Sequence, residues 1–367
     1  MDLKRFEIAR GAMRHVRCIT ARDGFVAVAL EPHSGSAPSE TWCVACSYLP
    51  AGKNARFVRV VTHTTDNKLV FSGTPQSLSI SAENVLCVPM GTDGVRTFAL
   101  AAPVEPYQST KSSMWQHLNN IGLCTFAKWI GAVGDERALV TVTSEIFSDE
   151  LRVNVHGKLG TSTVISNNLL RAEAGSILSL DAAEPGHVAF VVKRGGGFFL
   201  NVLVLEEGGG FGHRSLDLAQ PKLRRDTYGL PPNLIPVSLA VGDEDVVLGF
   251  SQMDVKTLRP TWTAPGFVEG YCVKSGELKL RRLLPHSVPT AVATSGSRML
   301  IGACSGSDAW PSSIYATSSN GNSNYTVFKG DEWNRHWLPG QFHIDKFSYS
   351  YTCTKVGISE TVAVIEH

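Results

Sequence analysis

Between residues 331 and 345 the chain reads DEWNRHWLPGQFHID, which sets two histidines and three acids among two tryptophans and an arginine. A histidine beside a carboxylate can shuttle a proton, and indole faces can hold an apolar substrate, so His336 with Asp331 forms a candidate acid–base pair flanked by Trp333 and Trp337. The same residues also have a plainer reading: Asp331 starts a turn and Arg335 neutralises nearby acids. Similar residue types gather elsewhere in segments rich in Gly, Pro, Ser and Asn: Trp115 and His117 in 106–120, His213 and Tyr228 in 209–233, Trp262 in 252–266, Trp310 in 305–311, and His343 in the opening stretch. Five of the seven tryptophans fall in these segments. Aromatic side chains with a polar tip concentrate where a partner or ligand is gripped, so these residues, together with Arg335, form the candidate binding set, and His117 joins His336 and Asp331 as a candidate catalytic residue. The competing explanation is that they fill small satellite cores beneath long loops.

Other chemical signals are weak. Cys43-Val-Ala-Cys46 is a CxxC, but in an extended strand its two thiols point to opposite faces, and no second pair follows to complete a zinc site. Arg194-Gly-Gly-Gly197 and Gly208-Gly-Gly-Phe-Gly212 lack the helix start and the Lys-Ser/Thr pair of a phosphate cradle, and read as hairpin turns. No Gly-x-Ser-x-Gly elbow, His-Glu-x-x-His pair or P-loop is present, so neither a metal nor a cofactor is expected. With 34 Lys plus Arg against 33 Asp plus Glu, no segment concentrates enough positive charge to grip nucleic acid. No stretch approaches the ~18 continuous apolar residues of a membrane helix, and the first residues lack a signal-peptide pattern. Cys18, Cys87, Cys304 and Cys353 sit in apolar runs, as buried free thiols do. Together these features predict a soluble protein of the cytoplasm or nucleus, without disulfides.

The elements that would position these segments are written as a repeat. LAVGDEDVVLGFS at 239–251 pairs a strand of small and aliphatic residues with an acidic turn and a second, wholly apolar run. Comparable stretches begin at residues 18, 78, 130, 178, 291 and 351, at intervals between 48 and 61 residues. A near-regular period of that size marks a repeat architecture. The first strand of each copy is poor in large side chains, as it would be near a crowded axis. The second is apolar throughout, as it would be with both faces covered. One or two further strands follow most copies, among them TWCVACSYLP, ARFVRVVTH, FFLNVLVLEE, FVEGYCVKS and ELKLRRLL.

Three or four antiparallel strands per unit, repeated radially, describe an all-β protein with the fold of a β-propeller spanning 1–367 as one domain. Seven blades are expected and six are the alternative, because the second copy shows no clear fourth strand. The strand KRFEIAR at 4–10 would close the ring by pairing with the C-terminal blade and so remove two exposed edges. A pair of β-sandwiches is the competing architecture. Two interruptions are expected: a loop or helix insertion at about 103–128, capped by Ser109 or Thr110 with Met114, Trp115 and Leu118 on one face, and a long loop at about 209–236.

The inner strand, Asp-bearing turn and second strand of LAVGDEDVVLGFS resemble one repeat of the WD-type propellers. The usual Trp-Asp and Gly-His dipeptides do not recur at fixed offsets, so the resemblance implies the fold and carries over none of that family's binding residues. The functional expectation is a non-catalytic module that recognises a protein partner through its loop-rich rim, as a subunit of a larger assembly. An enzyme holding a small apolar molecule in a rim pocket, such as a hydrolase, lyase or cyclase, is the alternative. The short turns within each copy, ARDG, GDER, GDED and SGSR, are expected to be solvated and carry no site.

Overall fold

A computed structural model describes residues 13–32, 40–49, 57–64, 75–104, 108–118, 121–133, 136–144, 150–158, 163–173, 177–195, 197–206, 211–218, 234–252, 266–284, 288–295, 298–304, 313–318, 326–329, 356–358 and 363–365. Twenty-six strands lie among them, in six four-stranded sheets and one two-stranded sheet. The first sheet is β1 (Met13–Arg22), β2 (Phe25–Pro32), β3 (Glu40–Tyr48) and β4 (Val58–Thr64). The second is β5 (Ser79–Ile80), β6 (Val85–Pro89), β7 (Val95–Ala101) and β8 (Lys111–Leu118). The third is β9 (Leu123–Val133), β10 (Glu136–Ser144), β11 (Glu150–Lys158) and β12 (Thr163–Glu173). The fourth is β13 (Ile177–Ala183), β14 (His187–Arg194), β15 (Gly197–Leu205) and β16 (Phe211–Asp217). The fifth is β17 (Leu234–Val241), β18 (Asp245–Gln252), β19 (Gly266–Cys272) and β20 (Leu278–Leu284). The sixth is β21 (Val288–Ser295), β22 (Arg298–Cys304), β23 (Ser313–Ser318) and β24 (Thr326–Lys329), and the seventh pairs β25 (Val356–Ile358) with β26 (Ala363–Ile365).

Within every sheet the strands pair antiparallel in chain order, so each is a simple meander. The first strands touch one another in succession, β1 to β5, β5 to β9, and onward to β21 and β25. Meanders arrayed with their first strands innermost make a β-propeller. Among the described residues no helix is long and apolar enough to cross a membrane.

The unbroken apolar runs find their reason in the second strands. Alternate residues of β2 serve two cores: Phe25, Ala27 and Ala29 pack with Leu86 and Val88 of the next sheet, while Val26, Val28 and Leu30 pack with Cys43 and Ala45 of their own. In β18, Val246, Leu248 and Phe250 join Ala189 and Val191 of the fourth sheet, and Val247 joins Val292, Met299 and Ile301 of the sixth. Burying such a side chain stabilises the fold by roughly 1.5–3 kcal/mol, so both faces of each second strand must be apolar. The CxxC divides in the same way. Cys46 lies in one core and Cys43 in the other, both as free thiols, and burial pushes the Cys46 thiol up to about 12.

Small first-strand residues have a second use, because their hydroxyls stitch neighbouring sheets. Ser77 Oγ accepts from Ala127 N at 2.9 Å and donates to Ala127 O at 3.1 Å. Ser79 Oγ accepts from Trp129 N at 3.2 Å, and Ser238 Oγ donates to Pro289 O at 2.6 Å. A larger side chain at these positions would hold the sheets apart.

Both expected interruptions are corrected by the structure. Residues 111–118 form a strand, β8, where a helix was anticipated, and residues 123–128 already belong to β9. Met114 and Trp115 are exposed and Leu118 is buried, so the spacing read as one helical face is a strand whose end alone reaches the core. Thr97 fixes that choice: its buried hydroxyl accepts from Gln116 N at 3.1 Å and donates to Gln116 O at 3.2 Å, across a bulge between the Phe98–Met114 and Thr97–Gln116 pairs. β8 is the fourth strand that the second unit was expected to lack. The long loop at 209–236 likewise contains β16 and the first residues of β17. Residues 4–10, the anticipated closing strand, lie outside the described residues.

Candidate functional site

Residues from six first strands and their flanks line one axial cavity of about 530 Å³. Its lining mixes small, apolar and charged residues, and several of the charges meet one another. Lys128 of β9 pairs with Asp181 of β13, whose other carboxylate oxygen accepts from Val241 N of β17 at 2.8 Å, so three consecutive sheets are joined. Arg22, in the ARDG turn, reaches Glu184 at 2.5 Å, linking the first and fourth sheets across the cavity mouth. The expectation that this turn would be solvated without further role therefore needs correction. These four residues were missed by sequence reasoning, although a signal existed: Lys128 and Asp181 are charges inside strands otherwise built of small and apolar residues. With Lys128 paired to Asp181 and Arg22 to Glu184, and with Asp243 and Asp23 also on its lining, the wall suits water and polar groups better than an apolar substrate.

Antiparallel meanders sort the connections onto two faces. First strands end on the face carrying the short within-copy turns and the β7–β8 and β15–β16 links. The opposite face receives the links between second and third strands and between successive sheets. Four pairs of strand ends on that opposite face, Gln252 and Gly266, Cys304 and Ser313, Asp217 and Leu234, and Lys329 and Val356, bound the segments that carry Trp262, Trp310, Tyr228, and the run from Asp331 to His343. Those residues themselves, Tyr228, Trp262, Trp310, Asp331, Trp333, Arg335, His336, Trp337 and His343, lie outside the described residues.

On the same face the described residues of the first two sheets bring together a histidine–acid–arginine cluster. Thr41 Oγ1 lies 2.7 Å from His63 Nδ1, and Trp42, fully buried, stacks on the His63 ring with centroids 5.4 Å apart. Across the sheet boundary, Asp93 in the β6–β7 turn pairs with Arg96, and its carbonyl and carboxylate lie 2.6 and 3.5 Å from His117 Nε2. Burial lowers the pKa of His63, opposed by Asp93 and reinforced by Arg96. His63 and Asp93 were not singled out by sequence, since their relation depends on how the first two sheets pack against each other.

Three of the sequence candidates are therefore located, and none stands in a loop. His117 is the penultimate residue of β8, bound to Asp93. Trp115 lies on the same strand, 43% exposed. His213 is exposed on β16, with Nε2 3.0 Å from Asn201 Oδ1 on β15. They do not converge: Trp115 and His117 belong to the second sheet and His213 to the fourth. Among the described residues no group of three or more His, Cys, Asp or Glu is arranged to hold a metal ion.

No family model and no curated protein matches the chain. Similar solved structures include the Dos1 propeller, at 8% identity over 95% of this chain and 74% of that one with a TM-score of 0.49. The WD40 repeats of RRP9 are similar at 10% identity over 96% and 86%, TM-score 0.48. Sqt1 of Chaetomium thermophilum, solved bound to the N-terminus of the ribosomal protein L10, is similar at 11% identity over 93% and 77%, TM-score 0.49. At such identities the likeness concerns the fold alone, and the β-propeller assignment rests on this chain's own sheet order.

Proposed function

We propose that this β-propeller is a non-catalytic binding module that recognises a protein partner through the loop-rich face, as a subunit of a larger assembly. The observation that carries the reading is the common face of the strand ends flanking every segment that holds Tyr228, Trp262, Trp310, Trp333, Arg335, Trp337 and His343. Aromatic and arginine side chains sent to one face by a rigid scaffold supply the anchors on which protein interfaces depend. The Asp93–His117 pair, with His63 within electrostatic reach of Asp93, adds a polar margin on that face. In this reading the seven sheets act as seven blades, and the contacts of β25 with β21 and with β1 support a closed ring.

Capture from native lysate with the wild-type chain and the Trp333→Ala/Trp337→Ala double variant tests the proposal. Loss of specific partners is expected, and an unchanged set of partners would count against this face. The enzyme reading is addressed by the same variants together with His336→Ala: it requires a turnover that disappears with His336 while partner capture persists.

A further inference from the structure

We infer that the outer edge of β8 is a second docking surface, one that adds an extended, acid-tipped peptide of a partner protein as a fifth strand of the second sheet. β8 is the last strand in the order β5-β6-β7-β8, and no described strand pairs with its outer edge. Lys111 to Trp115 are all exposed. The exposed large hydrophobic residues among the described residues are Val104, Met114 and Trp115, and all three stand on this strand or on the link leading into it. Edge strands are normally blunted by charge. The outermost strand β4 carries the exposed Arg59 within its length, whereas β8 has Lys111 at its very start and then Ser112, Ser113, Met114, Trp115 and Gln116 without a charge.

The geometry favours a peptide over a second copy of this chain. From Lys111 to Met114 the strand runs in regular register against Ala101 to Phe98, and the bulge follows at Trp115. A flat strand can pair with the regular part and end where the register breaks after Met114. Two copies of β8 related by a two-fold axis would instead set each bulge against the other's flat run. The five exposed residues span only about 17 Å, too short an edge to supply the ~800 Å² per partner that a stable dimer needs. Antiparallel addition brings the peptide's C-terminal end opposite Lys111, where an acidic residue is complementary, and an aliphatic residue near its start lies beside Met114 or Trp115.

This surface lies on the lateral edge of the molecule and is independent of the loop-rich face. The probe is a blocked hexapeptide, Thr-Val-Thr-Val-Thr-Glu, added to the full-length protein while amide hydrogen exchange is followed. Exchange in residues 111–115 should slow by about tenfold or more at saturation, and replacing the terminal Glu by Lys should weaken binding about two- to fivefold. Alternate N-methylation of the peptide, which removes backbone donors, should abolish the protection, as should Met114→Lys in a protein whose far-ultraviolet spectrum is unchanged. Trp333→Ala/Trp337→Ala should leave it intact, which separates this surface from the loop-rich face. No protection of residues 111–115 by the unmodified peptide, protection that survives N-methylation, or a peptide-free dimer that already protects β8 would overturn the inference.

Discussion

His156 shows how one buried residue couples this fold to pH. It is 2% exposed on β11, with Nε2 2.8 Å from Thr141 Oγ1, and Nδ1 has no hydrogen-bond partner among the described residues. Burial lowers its pKa from 6.5 to about 4, since a charged imidazolium in that site would be desolvated. The unfolded chain therefore binds more protons than the folded one between those two values. Stability is unaffected above pH 6.5, falls as pH drops through the window, and reaches its full loss, about 3 kcal/mol, below pH 4. Denaturation at a series of pH values should show that slope, and His156→Gln, which retains a polar partner for Thr141, should flatten it. An identical slope in the variant would move the effect to other groups. Asn154 Nδ2, donating to Thr143 Oγ1 at 3.1 Å on the same strand pair, shows that this polar patch is otherwise matched within the third sheet.

Among the elements, second strands tolerate least change. Gly249 on β18 lies where a Cβ would meet Ser238 Oγ at 2.3 Å and the Pro289 carbonyl oxygen at 2.8 Å, at the meeting of the fifth and sixth sheets. Gly249→Ala should destabilise by about 1–3 kcal/mol, read from urea denaturation. Removing the hydroxyl as well, in Gly249→Ala/Ser238→Ala, relieves the nearer contact but leaves the carbonyl, so recovery should be partial. Full recovery would show that the backbone contact yields freely. The fifth sheet also carries buried ion pairs: Glu269, 1% exposed, accepts from Arg281 at 2.7 and 2.9 Å and from the Tyr271 hydroxyl. Removing one partner of such a pair leaves a buried charge uncompensated, so these groups specify pairing between β19 and β20 more than they add stability.

For the whole molecule, the question is whether the seven sheets behave as one cooperative unit. β25 touches both β21 and β1, so the seventh sheet stands between the ends of the array. Deleting residues 356–367 should expose the flanks of both neighbours and lower the unfolding midpoint of the entire protein in a single transition. An unchanged midpoint would show that the other six sheets are stable without closure. The axial ion pairs act at the same scale. Lys128–Asp181 joins consecutive sheets, whereas Arg22–Glu184 spans the cavity mouth and braces sheets distant in the chain.

By itself the sequence determined the local grammar: small first strands, acidic turns, apolar second strands and their recurrence, because alternation and burial leave their mark on every residue of a repeated strand pair. LAVGDEDVVLGFS is legible as β17 and β18 for that reason, and so is the separation of Cys43 from Cys46 onto opposite faces. It also offered the aromatic residues on which the proposed binding face rests, as candidates that lie outside the described residues. KSSMWQHL was misread as helical because an edge strand exposed on both faces has no alternation to display, and its register is held by Thr97, a residue of another strand. Only tertiary structure decided what depends on sheets meeting one another. Asp181 between Lys128 and Val241, Arg22 against Glu184, and His63 within electrostatic reach of Asp93 are proximities between residues far apart in the chain, set by how the sheets are arrayed about the axis, and no local pattern encodes that arrangement.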